Sequence, residues 1–104
     1  MKGLAFAFKS EAAFRLECYV LLLALILIPF APLMLVEQVL LVGSVLFVML
    51  VELLNTAIEK TVDRISKDRH DLSGAIKDIG SAAVLIAILI AGLIWMIIGY
   101  RHFS

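Results

Sequence analysis

Residues 38–58 read QVLLVGSVLFVMLVELLNTAI, twenty-one positions that hold a single charge, Glu52, with the amide Asn55 one turn further on. A helix rises about 1.5 Å per residue, so about 20 apolar residues cover the hydrocarbon of a bilayer. The stretch has that length and composition, and two others accompany it. Cys18–Val36 has no Asp, Glu, Lys or Arg in 19 residues, and Ile79–Tyr100 has none in 22. Together they nearly exhaust a chain of 104 residues that is 63% hydrophobic and 17% charged. A soluble domain this small has too little interior to hide so much apolar side chain. The sequence therefore predicts an all-α membrane protein, one domain over 1–104, with three transmembrane helices at about 18–36, 38–58 and 79–100.

The flanks refine this reading. Residues 2–17 mix Lys2, Lys9, Glu11, Arg15 and Glu17 with Leu4, Phe6, Phe8 and Phe14. That pattern suits a short N-terminal interfacial helix continuing into the first span. Pro29 and Pro32 lack a backbone donor and crowd the preceding turn, so they mark a kink or the end of the first helix, with a tight reversal over 29–37. The second span is expected to run on as a polar helix toward Lys67. Residues 68–74 read as a loop, with Ser73 or Asp71 capping the helix that carries Lys77 and Asp78 into the third span. Trp95 and Tyr100 suit the far interface.

Eight basic residues (Lys2, Lys9, Arg15, Lys60, Arg64, Lys67, Arg69 and Lys77) fall on one side of the three spans, against Arg101 on the other. The basic side is expected to be cytoplasmic, which leaves the 29–37 hairpin and the C-terminus outside. No small-residue cleavage site follows the first apolar run, so it is expected to remain as a span. A formal net charge of zero implies no nucleic-acid partner, and the one cysteine, Cys18, allows no intramolecular disulfide. Gly43, Ser44, Ala82, Ala83, Ala87, Ala91 and Gly92 permit close helix packing. Three short spans enclose little interior for Glu52, and oligomerisation follows as an expectation.

Glu52, Asn55 and Glu59 stand at i, i+3 and i+7, on one face of the second helix, and Asp63 extends the stripe. An unpaired carboxylate is costly within a membrane and normally faces protein or water. Lys77 and Asp78 stand at the cytoplasmic entrance of the third span, with Ser81 one turn on, and Glu11 precedes the first. If the helices pack, these groups meet near one interface. Carboxylates suit magnesium, which also holds phosphates; a lysine can stabilise a transferring phosphoryl group; a carboxylate can take a proton from a lipid hydroxyl. No Walker A loop or kinase-type glycine loop is present. Two readings stay open on these residues alone: a polar membrane site for magnesium or another ion, and a set of polar contacts that only bind helices together.

Glu52-Leu-Leu-Asn-Thr-Ala-Ile-Glu59, then Val62-Asp63-Arg64, then His70-Asp-Leu-Ser-Gly-Ala-Ile-Lys77-Asp78-Ile-Gly-Ser-Ala-Ala83 closely resemble the prokaryotic diacylglycerol kinase family. Lys2-Gly3-Leu4, Glu11-Ala-Ala-Phe-Arg15 and His102-Phe103 also fit, so the resemblance covers essentially the whole chain. It implies a small three-span enzyme, homotrimeric in the bacterial inner membrane with active sites shared between protomers. Such an enzyme transfers the γ-phosphoryl group of ATP to diacylglycerol, yielding phosphatidic acid and ADP. By the same resemblance Glu52 is the general base, Glu11 and Glu59 hold the Mg2+ that accompanies ATP, and Lys77 contacts phosphate. Asn55 and Asp78 match further catalytic positions. Glu17, with Lys77 and Asp78, belongs to the nucleotide side, and Ser81 supports the site. The best-known form of the family has a longer N-terminal surface helix, so any nucleotide contacts from that extension are expected to be absent or replaced here. His70 matches a loop position outside the core motif. The related undecaprenol kinases share the LNTAIE-like segment and form the alternative acceptor class; a noncatalytic or ion-conducting membrane assembly is the alternative of another kind. The Ile79–Ala83 and Glu11-Ala-Ala segments resemble the diacylglycerol branch.

Overall fold

The computed structural model describes residues 2–65 and 71–103. Their helices are α1 (Lys2–Ser10), α2 (Ala12–Leu27), a 3-10 turn (Ile28–Phe30), α3 (Leu35–Ile65) and α4 (Asp71–Phe103). At about 1.5 Å per residue α3 and α4 are each nearly 50 Å long, longer than the hydrocarbon is thick. They set the long dimension of a molecule measuring 53 × 27 × 18 Å. Ala12–Phe30, Leu35–Ile65 and Leu72–Phe103 are each long and apolar enough to cross a membrane.

α2 ends where Pro29 would remove a helical donor and crowd the carbonyl one turn back. The backbone tightens to the 3-10 turn, Ala31 N–H donates to Ile28 O at 3.0 Å, and Ala31 is extended (φ −81°, ψ 150°), as a residue before proline prefers. The first helix thus stops earlier than the expected span, which reached 36. α3 then begins with a side-chain cap: Met34 N–H donates to Glu37 Oε1 at 3.0 Å. This is the reach-back half of a capping box.

Two small apolar cores pin the helices together. Ala24, Ile28, Leu41 and Ile98 form one at the hairpin end, and Ala7, Phe14 and Met49 the other at the α1 end. Between them Trp95 Nε1 donates to the buried Ser44 Oγ at 2.8 Å, and Ser44 Oγ donates to Leu41 O at 2.7 Å. The indole polar atom is therefore spent on an interhelical bond, a use beyond the interfacial role expected of it. Small residues allow this approach: Ala87 is 1% exposed on α4. Most other apolar side chains point outward, including Leu85, Leu89, Leu93 and Ile97. In water that surface would be unfavourable; against lipid tails or other helices it is not.

Two local expectations are corrected. The N-terminal segment does not run continuously into the first span: Glu11 is extended (φ −114°, ψ 107°) and separates α1 from α2. Arg15 bridges the break, its Nη1 donating to Lys9 O at 2.9 Å and Phe8 O at 3.4 Å, which satisfies carbonyls at the end of α1. Ser73 and Gly74, expected in a loop with Ser73 as the cap, lie inside the first turns of α4. Their poor helix propensity is a weak preference, overridden where a helix packs along a neighbour. Asp71 and Leu72 are likewise part of α4; residues 68–70 of that loop, with His70, and the helix extension beyond Ile65 toward Lys67 lie outside the described residues.

Candidate active site

The break at Glu11 folds α1 back beside α2, and Phe8 meets Tyr19 edge-on at 6.2 Å. A cavity of about 270 Å³ forms where α1, α2, α3 and α4 converge. Glu11 lines it from the break, Glu52, Asn55 and Glu59 from α3, and Ser81 from α4. The helical spacing of the acidic stripe thus becomes a common wall. Asn55 Nδ2 donates to Glu59 Oε1 at 3.1 Å, fixing one edge of the amide and one oxygen of the carboxylate. Asn55 Oδ1 is buried without a hydrogen-bond partner among the described residues, as is Glu17 Oε1.

Glu17 stands behind this wall: it does not line the cavity, and its carboxyl lies within hydrogen-bonding reach of Glu52 from the α2 side. Two residues, Phe14 and Leu53, line both the acidic cavity and an adjoining apolar groove of about 580 Å³. Leu4, Phe8, Cys18 and Met49 continue that groove, and Lys9 adds its one cationic side chain. The arrangement sets carboxylates and an amide directly beside a surface suited to an acyl chain.

The family profile described as prokaryotic diacylglycerol kinase matches residues 1–99. A protein of Escherichia coli (strain K12) named diacylglycerol kinase is 50% identical over 103 residues, covering 99% of this chain and 84% of its own length. The Haemophilus influenzae protein of the same name is 52% identical, with 91% of this chain and 80% of its own covered. For that of Pseudomonas aeruginosa the figures are 45%, 91% and 77%. The chain belongs to the prokaryotic diacylglycerol kinase family. With three helices of membrane-crossing length in a family of bacterial proteins, it is a multi-pass protein of the inner membrane.

Within this diacylglycerol kinase fold the residues singled out from the sequence divide into two groups. Glu11, Glu52, Asn55, Glu59 and Ser81 share the cavity; Lys77 and Asp78 do not line it. Lys77 Nζ instead reaches back to α3 and pairs with Asp63 Oδ1 at 2.6 Å, both side chains being about half exposed (42% and 56%). An exposed pair of this kind contributes at most about 1 kcal/mol, so it orients the lysine more than it stabilises the fold. Asp63 was legible only as an extension of the acidic stripe, and its partnership with Lys77 depends on how α3 and α4 pack. No group of three or more His, Cys, Asp or Glu side chains among the described residues forms a ready metal cage. Mg2+ suits such a site nonetheless, because it is commonly held by one or two carboxylates with waters and substrate phosphates. Glu11 and Glu59 supply two hard oxygen donors on one cavity.

Proposed function

We infer that this chain is an ATP-dependent diacylglycerol kinase acting at the membrane interface, transferring the γ-phosphoryl group of MgATP directly to the diacylglycerol hydroxyl. The observation that carries this reading is the junction at Phe14 and Leu53, where the acidic cavity meets the apolar groove in a chain of this family. A lipid acceptor needs both surfaces, its chain in the groove and its hydroxyl in the cavity.

Glu52 is the proposed general base. Its carboxylate takes the hydroxyl proton as the acceptor oxygen bonds to the γ-phosphorus and the bond to the β–γ bridging oxygen breaks, leaving phosphatidic acid and ADP. Glu17, within reach of Glu52, aims that carboxylate from α2. Glu11 and Glu59 would hold Mg2+, which when bound neutralises charge on the phosphates. Asn55 fixes Glu59 through its 3.1 Å bond. Lys77 and Asp78 serve the nucleotide phosphates, Lys77 held ready by Asp63. Lys77 and Asp78 stand one turn before Ser81 on α4, at the edge of the cavity, and the proposed assembly is a homotrimer whose sites combine residues of neighbouring protomers, as the family resemblance implies. The N-terminus is assigned to the cytoplasm, where MgATP is, and the C-terminus to the outside.

The test is an acceptor comparison with purified protein, MgATP, and either diacylglycerol or undecaprenol, following ADP and phosphorylated lipid together. Phosphatidic acid formed in step with ADP is the expected result. A strong preference for undecaprenol would reassign the acceptor, and a folded protein with no lipid-dependent ADP release would remove the kinase reading.

A further inference from the structure

Gly80 lies in the interior of α4, buried against α3. Glycine is a poor helix former, and Gly80 has no positive φ that would require one. Space is the remaining reason. A Cβ placed on Gly80 would collide with Asn55 Oδ1 and stand 3.2 Å from Asn55 Cγ. At the other five glycines, Gly3, Gly43, Gly74, Gly92 and Gly99, a Cβ would meet nothing within 4 Å. The close approach is thus particular to the glycine that faces the active-site amide.

The two ends of that amide are fixed differently. Nδ2 donates to Glu59 Oε1, while Oδ1 is buried with no hydrogen-bond partner among the described residues. Turning the amide over would set two acceptor oxygens against each other at Glu59, so the carboxylate selects the orientation. Oδ1 is then directed into the space over Gly80, where only hydrogen on the Cα stands.

We propose that Gly80 is a positioning residue of the active site: its bare Cα is the seat of the Asn55 carboxamide, and through that amide it sets the orientation of Glu59. Gly80 touches no reactant. The inference rests on the reading of Asn55 and Glu59 as active-site groups. Adding a methyl group meets the end of a side chain rather than backbone, so the least costly relief is rotation of Asn55, not separation of α3 and α4. Asn55 has two side-chain torsions, and either rotation takes Nδ2 off its line to Glu59. A carboxylate without that donor holds its cation in a different geometry, with the helices still packed.

Asn55 is the only asparagine in the chain, so 15N-asparagine labelling gives one side-chain NH2 pair that reports on it alone. The experiment compares the full chain and Gly80→Ala in lipid nanodiscs, by this signal and by kinase turnover against Mg2+ concentration. The displaced amide is expected to shift the NH2 pair, raise the Mg2+ needed for half-maximal rate, and lower kcat by about tenfold to a hundredfold. KM for the lipid should hold. An NH2 pair at its original position in folded Gly80→Ala overturns the seat. A shifted pair with unchanged turnover and Mg2+ dependence leaves the seat standing but overturns its role in the reaction, and with it the reading of the Asn55–Glu59 contact. If Gly80→Ala does not fold, Gly80→Ala combined with Asn55→Ala should, since the colliding oxygen is gone; a double variant that still fails to fold overturns the proposal.

Discussion

Glu52 and Glu59 stand at i and i+7 on α3, and the two carboxylates differ in their surroundings. Glu52 has Glu17 behind it and Leu53 beside it, next to the apolar groove. Glu59 has the Asn55 amide for a partner. Glu52→Gln keeps the shape and removes the proton acceptor, so turnover should fall by about 10²- to 10⁴-fold while KM for ATP holds. Steady-state kinetics on the intact assembly check this; near-normal kcat would remove Glu52 as base. Glu59→Gln keeps an oxygen donor but loses its charge, and should shift the Mg2+ activation curve to higher concentration, as read in a titration at fixed ATP. The shared face of these residues was legible from the i, i+3, i+7 spacing, because helical geometry alone dictates it. The contribution of Glu11 from a break between two helices, the pairing of Lys77 with Asp63, and the meeting of Gly80 with Asn55 were not, since each joins segments distant in sequence.

Among the elements, the ends of α3 and α4 carry the clearest architecture. Glu37, only 4% exposed, caps α3 and also receives α4: His102 Nε2 lies 2.9 and 3.0 Å from its two oxygens, and Arg101 Nη1 lies 3.8 Å from one. One carboxylate thereby joins the positive start of α3 to the last turn of α4. In the sequence Glu37 reads only as the close of a hairpin, because nothing local indicates that residue 102 returns to it. Glu37→Gln retains the cap acceptor but weakens the pairing with His102 and Arg101. It should lower the unfolding temperature in detergent while leaving kcat unchanged, as the cluster is at the end remote from the cavity. Midway along the pair, Trp95→Phe removes the donor to Ser44. Interhelical hydrogen bonds in membranes are worth about 0.6–2 kcal/mol, and equilibrium unfolding in mixed micelles should show a loss of that size.

For the whole molecule, the proposed sharing of sites between protomers makes a specific demand on assembly. On the proposed trimer with shared sites, Glu52→Gln and Asp78→Asn protomers should each be inactive alone and regain activity when co-assembled, since a mixed assembly would contain a site with both native groups. Subunit mixing followed by an activity assay reads this directly, and absence of recovery in verified mixed assemblies would confine the site to one protomer. The topology is tested by fusing to the C-terminus a reporter enzyme that works only outside the cytoplasm; activity there is expected, because the positive-inside rule leaves Arg101 as the one basic residue on that side.

The sequence by itself determined the membrane character, the three long helices, the reversal at Pro29 and the acidic face of α3. Each follows from quantities local to the chain: apolar length against bilayer thickness, a missing proline donor, and the helical repeat. Tertiary structure alone decided that Glu11 breaks the N-terminal helix and joins that face, that Ser73 and Gly74 are helical, and that Glu37 clamps His102. It also decided where the Asn55 amide rests. These depend on which surfaces of separate helices come into contact, and no local spacing contains that information. The single acid and amide of residues 38–58 are therefore legible as a polar face shared with Glu59, whereas the approach of Glu17 to the acid and of Gly80 to the amide is a consequence of packing.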